Sequence, residues 1–353
     1  MDITQLLTEA TEKGASDIFI VAGLPLSYKI NGIIQEIGGE KLYPPQTEVL
    51  VQGIYDLAGK RSMEGLVQCG DDDFSFAIKG VSRFRVSTYK QRGSLAAVVR
   101  VITFNLPSPE DLGIPGHIID LANINKGLVL VTGPAGSGKS TTLACMIDKI
   151  NTEQQKHIIT LEDPLEYLHS HKKSIVSQRE INTDTMSYVT ALRAALRQSP
   201  DVILLGEMRD YETMNIAMTA AETGHLVIST LHTIGAANTI DRIIDVFPPS
   251  QQRQISVQLS MVLDAVISQQ LVPSKEGCLI PAFEVMIVTP AIRNMIREGK
   301  VHQIDGIIYT SSKNDMSSMD SSLLNLYNKD IISGKTALQY ATNPEMLAKK
   351  IKE

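Results

Sequence analysis

Residues 128–150 read LVLVTGPAGSGKSTTLACMIDKI, and the order of features in that stretch decides how the chain folds. Leu128 to Thr132 are apolar or β-branched throughout, which predicts a strand buried on both faces. The next eight residues, Gly133, Pro134, Ala135, Gly136, Ser137, Gly138, Lys139 and Ser140, match G-x-x-x-x-G-K-[ST]. A helix is predicted from Thr141 to Ile150. Glycines at 133, 136 and 138 let successive amide groups turn inward as an anion nest, and the N-terminal end of the helix adds partial positive charge. The pattern assigns Lys139 to the β- and γ-phosphates of a nucleoside triphosphate and Ser140 to Mg²⁺, with Thr141 closing the loop. A glycine-rich turn with an incidental lysine is the ordinary alternative, and the flanking strand and helix argue against it.

Working outward, buried strands are predicted at Leu128–Thr132, His157–Leu161, Val202–Leu205 and Leu226–Thr230. They alternate with helical patterns, which is the signature of a parallel sheet with crossover helices. From about Ser250, Ile255, Leu259, Val262, Leu263, Val266 and Ile267 recur at spacings of three and four, predicting a packed helix that runs to Pro273. One strand at Ala282–Val288 and short helices follow, and Ser311–Ser322 reads as an ordinary loop. On the other side of the motif, three prolines fall within Leu106–Pro115, which can continue neither a helix nor a central strand. The first 105 residues read as short strands with two helical segments. Among them are a strand over 73–78 and a hairpin of Arg83–Lys90 and Leu95–Ile102, turned at Arg92–Gly93. The expected architecture is α/β: an N-terminal α+β domain over 1–105, a linker over 106–115, and a P-loop domain over 116–353 that is mostly helical from 291.

Composition narrows the function. The chain has 353 residues, 43% of them hydrophobic and 20% charged, as an ordinary folded protein would. A net charge of -6 with no long basic run argues against nucleic acid as a partner. Cys69, Cys145 and Cys278 lie too far apart in sequence for a CxxC zinc or thiol-exchange site. The start, MDITQLLTEATEKG, carries acids and no apolar run, so no secretory signal is expected. No stretch approaches the ~20 apolar residues of a membrane span. A cytoplasmic protein is expected, meeting a membrane only through partners.

Four further groups carry candidate chemistry. Glu207, after Gly206 at the end of a strand, can orient a water and take its proton. Glu162, Asp163 and Glu166 place three carboxylates within five positions at the end of another strand. Such bunching calls for a cation, so Glu162 and Asp163 are expected to line a Mg²⁺–water site. His225 and His232 bracket a further strand, with His232 at the C-terminal end where it can sense the γ-phosphate. In the hairpin, paired residues sum to 185, which sets Arg85 opposite Arg100. Opposed like charges destabilise a strand pair, and an anion such as a terminal phosphate would offset that. Each group has a plainer alternative: a turn acid for Glu207, a surface loop for Glu166, a packed imidazole for His225, and solvated arginines on an open sheet face.

Together these residues resemble the secretion ATPases and, within them, the PilT-type retraction motors of type IV pili. The likeness covers nearly the whole chain: Ala15–Asp17, Gly133–Thr142, Ile159–Glu166, Ala191–Gln198, Leu205–Asp210, Ala220–Thr233 and Ala291–Lys300. Phe19, where the pattern would have histidine, and Met295, for a common leucine, depart from it. The resemblance implies a PAS-like N-terminal domain, a RecA-like ATPase domain, and a homohexameric ring hydrolysing ATP with Mg²⁺. It implies phosphate and Mg²⁺ roles for Lys139 and Ser140, and an acidic box of Glu162 and Asp163. It also implies a catalytic Glu207, a histidine box of His225 and His232, and phosphate-contacting Arg85 and Arg100. An inner-membrane platform protein is the implied partner, at the inner face of the cytoplasmic membrane. Three alternatives stay open: a low-activity accessory paralogue, a motor of a related secretion or competence filament, and a RecA-like DNA motor, which the acidic balance disfavours.

Overall fold

Alternation of apolar and polar residues lays out the N-terminal part of the chain as strands, and a computed structural model gives their order. It describes residues 2–30, 32–102, 106–310 and 316–351. Two compact units result: Met1–Asn105 with Glu166–Leu168, and Leu106–Leu165 with His169–Glu353. Residues 103–105, the end of the expected N-terminal domain, and 311–315 of the expected serine-rich loop lie outside the described residues.

The first unit opens with α1 (Ile3–Glu12), whose N-cap Asp2 accepts a hydrogen bond from the Thr4 amide. Ile3, Leu6, Leu7 and Ala10, spaced as one helical face, are buried. Strands β1 (Ala15–Ile20), β2 (Pro25–Ile30) and β3 (Ile33–Lys41) follow, then α2 (Pro44–Leu57), α3 (Glu64–Cys69), β4 (Asp71–Ile78), β5 (Ser82–Gln91) and β6 (Ser94–Ile102). Three helices thus stand where the sequence suggested two; the six-residue α3 is too short to show a period. The sheet is antiparallel with order β3-β2-β1-β6-β5-β4. Its inner face supplies Ile18, Phe74, Phe76, Phe84, Val86 and Val99 to the core under α1 and α2. At the β5–β6 turn Arg92 and Gly93 both take positive φ, 48° and 79°, as a primed hairpin turn requires.

In the second unit Ile114 is buried, with Leu106 and Leu112 packed against the same cluster, so the proline-rich stretch joins a core. Next come α4 (Gly116–Asp120), β7 (Gly127–Thr132), α5 (Lys139–Glu153), β8 (His157–Glu162), β9 (Ile175–Glu180), α6 (Tyr188–Ala195), β10 (Val202–Leu205), α7 (Tyr211–Glu222) and β11 (Leu226–Leu231). They are followed by α8 (Ala236–Asp245), α9 (Pro249–Val262), β12 (Leu263–Pro273), β13 (Leu279–Ile287) and α10 (Pro290–Arg297). The chain closes with α11 (Ile304–Thr310), α12 (Met319–Asn328), α13 (Gly334–Tyr340) and α14 (Pro344–Ala348). The seven-stranded sheet runs β13-β12-β7-β11-β10-β8-β9, parallel except for the β12–β13 pair. Helices α4 and α5 cover one face and α6 to α9 the other.

Two readings need correcting here. The apolar repeat after Ser250 is not one helix: α9 ends at Val262, and Leu263, Val266 and Ile267 belong to β12. A strand buried on both faces shows an unbroken apolar run, which spacing alone does not separate from a helix. The expected Ser311–Ser322 loop is partly structured as well, since Ser317 pairs with Val285 and α12 begins at Met319.

Candidate nucleotide site

The motif at 133–140 sits at the C-terminal end of β7, where parallel sheets hold ligands. Gly136 and Gly138 take φ of 75° and 86°, and Gly138 caps α5 in the left-handed region. Gly133 is held for a steric reason: a Cβ there would stand 2.2 Å from the Gln269 carbonyl oxygen. No acidic residue occupies the first turn of α5, so the N-terminal end of the helix is left electropositive. Lys139 is buried, and its Nζ donates to the carbonyl oxygens of Gly133 and Pro134, both at 2.9 Å. Burial pushes the Lys139 pKa below its ordinary value, while the charge of Glu207 pulls it back up. Lysine and glutamate therefore lie within electrostatic reach of each other. Ser140 and Thr141, exposed and half-buried, stand on the first turn of α5.

Glu207 follows β10 at the same edge of the sheet, with its side chain 12% exposed. Gly206 stands in a tight place. A Cβ there would come 3.0 Å from the Tyr188 hydroxyl, 3.2 Å from the Leu161 carbonyl oxygen and 3.4 Å from Glu162 Cα. Its amide donates to Leu161 O at 2.8 Å, and its own carbonyl accepts from Thr230 Oγ1 at 2.6 Å. Gly206 thus lets the acid hug the ends of β8 and β11. One Glu207 oxygen is ion-paired with Arg209, and Oε2 lies 3.3 Å from His232 Nε2. Burial alone would raise the Glu207 pKa, but Arg209 and His232 outweigh it and hold the carboxyl below its ordinary value.

Glu162 ends β8 and Asp163 follows it, exposed. Burial, then the charges of Glu207, Asp163 and Glu162, push the Tyr188 phenol pKa up, so that one hydroxyl faces the field of all three carboxylates. The expected gathering of Glu162, Asp163, Glu207 and His232 at one edge is what the geometry provides. Among the described residues no three His, Cys, Asp or Glu side chains form a metal cage. Mg²⁺ takes one or two protein groups, phosphate oxygens and waters rather than an all-protein set. Ser140 and the Glu162–Asp163 pair are the groups that could hold it.

His225 is not brought to this edge. It precedes β11, and seven residue steps along the strand separate it from His232 by roughly 23 Å at ~3.3 Å per residue. Its Nδ1 lies 2.9 Å from Ala220 O and 3.3 Å from Thr223 Oγ1, tying down the end of α7. Glu166 is exposed.

In the N-terminal unit the expected register holds, with Arg85 opposite Arg100. An anion does offset the repulsion, and part of it is internal: Arg100 Nε donates to Asp17 Oδ1 at 2.9 Å across the β1–β6 pair. Asp17, itself 8% exposed at the side chain, also accepts from Ser16 Oγ. Arg85 is half-buried, and its side chain has no ion-pair or hydrogen-bond partner among the described residues.

Three residues escaped the sequence reading. Arg209 stands two positions after Glu207, a spacing that could have flagged it. Tyr188 carries no motif signal. Gln269 was hidden by taking β12 for helix; its Oε1 accepts from Thr142 Oγ1 at 2.7 Å, while neighbouring Ser268 Oγ accepts from the Gly235 amide at 3.0 Å.

Comparison with known proteins agrees with this geometry. Residues 1–297 match the family model described as Type II/IV secretion system protein. The chain is 45% identical over 345 residues, 98% of its length and 99% of the relative's, to the type IV pilus retractation ATPase PilT of Pseudomonas aeruginosa. It is 48% identical over 277 residues, 78% of its length and 74% of the relative's, to a twitching motility protein of Neisseria gonorrhoeae. A crystal structure of the pilus retraction motor PilT with bound ADP superposes at a TM-score of 0.90 with 44% identity, covering 99% of each chain. With an N-terminal domain ahead of a RecA-like domain, the chain belongs to the Type II/IV secretion system protein family and, within it, to the PilT-type ATPases.

Proposed function

We infer that the protein hydrolyses ATP and uses the free energy to retract type IV pili. The observation that carries the reading is one sheet edge shared by the 133–140 loop, Glu207 and His232 in a chain so similar to a retraction ATPase. The main-chain amides of the loop would bind the phosphates, and Lys139 would exchange its two carbonyl partners for β- and γ-oxygens. Mg²⁺ would neutralise phosphate charge beside Ser140, with Glu162 and Asp163 reaching it through water. Glu207, kept ionised by Arg209 and His232, would accept the proton of the attacking water. His232 is proposed to report on the γ-phosphate through its contact with Glu207, and His225 to support the fold. Arg85 and Arg100 are proposed as guanidinium groups offered to a phosphate, Arg85 being the less engaged of the two.

A homohexamer, a platform protein in the inner membrane and a site of work at its inner face complete the proposal. No helix among the described residues is long and apolar enough to cross a membrane, which fits attachment through a partner. Phosphate release by purified protein tests the enzyme, with Glu207→Gln as the control. Deleting the gene tests the biology: retraction predicts excess surface fibres that do not shorten, whereas loss of all fibres would contradict it.

A further inference from the structure

Strand β12 runs beside β7 in a parallel register that ends with Ser268 opposite Thr132, so the next residues along are Gln269 and Gly133, the first of the loop. Gln269 is 2% exposed. Its side chain turns to the face covered by α5, where Oε1 accepts the Thr142 hydroxyl at 2.7 Å. Its Nε2 lies 2.8 Å from the place a Cβ on Gly138 would occupy, and its carbonyl oxygen 2.2 Å from the Cβ position on Gly133. Both ends of the loop therefore rest on one residue. A larger side chain at either glycine would meet Gln269 before anything else.

We propose that Gln269 is the positioning residue of the phosphate loop, bracing it from beneath so that the amides of 136–140 and the Lys139 ammonium face the ligand. The Thr142 hydrogen bond fixes the amide's orientation, the amide sets the height of Gly138, and Gly138 sets where α5 begins. Hydroxyl and amide are both buried, so their bond meets little competition from water. A loop released from below can still bind phosphate, but it must first be ordered, and that cost appears in affinity. Chemistry at Glu207, on another strand, is left unchanged once nucleotide is bound.

This rests on the nucleotide reading, and the experiment separates the two. ADP affinity, KM and kcat are measured for the full chain and for Gln269→Ala, Thr142→Val, the double variant and Lys139→Ala, with melting temperatures alongside. The brace predicts that Gln269→Ala raises Kd and KM about tenfold, as expected for one buried hydrogen-bonding group, with kcat at saturation within about twofold. Thr142→Val should move Kd the same way, and the double variant should bind no worse than Gln269→Ala. A lower melting temperature with unchanged KM would overturn the proposal, as would two single variants that bind like the parent. Should Gln269→Ala fail to fold, Thr142→Val decides by the same criterion. Parental affinity in Lys139→Ala would instead sink the nucleotide reading itself.

Discussion

Replacing Gly206 with alanine perturbs the site where the chain seats Glu207, without touching a charged group. The added methyl would stand 3.0 Å from the Tyr188 hydroxyl, 3.2 Å from Leu161 O and 3.4 Å from Glu162 Cα. Two of those neighbours are main chain of β8, which is held between β10 and β9 and cannot give way cheaply. Overpacking of this kind costs about 1–3 kcal/mol. The contacts are short by only a few tenths of an ångström, which favours the lower half of that range. For a domain of this size that is a fall in melting temperature of about 2–8 °C. Glu207 is the next residue and would move by a similar few tenths of an ångström; since ~1 Å of misplacement costs ~10²-fold in rate, turnover should fall about tenfold. ADP affinity should hold, because the loop at 133–140 is carried by a different strand. Differential scanning fluorimetry, a phosphate-release assay and an ADP titration read the three quantities. Tyr188→Phe in the same chain removes the nearest contact and should restore part of both losses. A Gly206→Ala protein with parental melting temperature and turnover would refute the claim that this glycine seats the acid against β8.

Glu207→Gln keeps the shape and removes the base, so kcat should fall ~10²- to 10⁴-fold with nucleotide binding intact, as seen in phosphate release against ADP titration. The Glu207 pKa is held down by Arg209 and His232 against its burial, so the carboxylate form persists to a pH below the ordinary glutamate range. In Arg209→Ala burial is less opposed, and the acid limb of kcat against pH should move upward; an unmoved limb would rule out Glu207 as the titrating base. Arg85 and Arg100 should separate by stability. Arg100→Ala strands the nearly buried Asp17 and, discounted for the arginine's 57% exposure, should cost about 1–2 kcal/mol in a denaturant melt. Arg85→Ala should stay within about 0.5 kcal/mol, and both should lower turnover if both meet phosphate.

Much of the site was legible because its chemistry is written in short, local spacings. The 133–140 loop needs glycines where the backbone turns left-handed, and Glu207 needs a strand end, so motif and strand pattern located both. The Arg85–Arg100 pairing followed from a two-residue turn, since register is arithmetic once the turn is fixed. Its consequence was less visible: the anion beside Arg100 comes from Asp17, 83 residues away, and only the sheet order brings β1 against β6. The places of the two histidines were legible too: they bracket β11, and only His232 stands at its C-terminal end. Strand β12 was lost because burial on both faces erases the period-two signal, and Gln269 was lost with it.

The account depends on the 133–140 loop as the seat of the phosphates, and a crystal structure with Mg²⁺ and a non-hydrolysable ATP analogue tests that most directly. The predicted result has β- and γ-oxygens on the amides of residues 136–140, with the Lys139 Nζ withdrawn from the Gly133 and Pro134 carbonyls to meet them. Nucleotide bound elsewhere, with Lys139 still on both carbonyls, would contradict it.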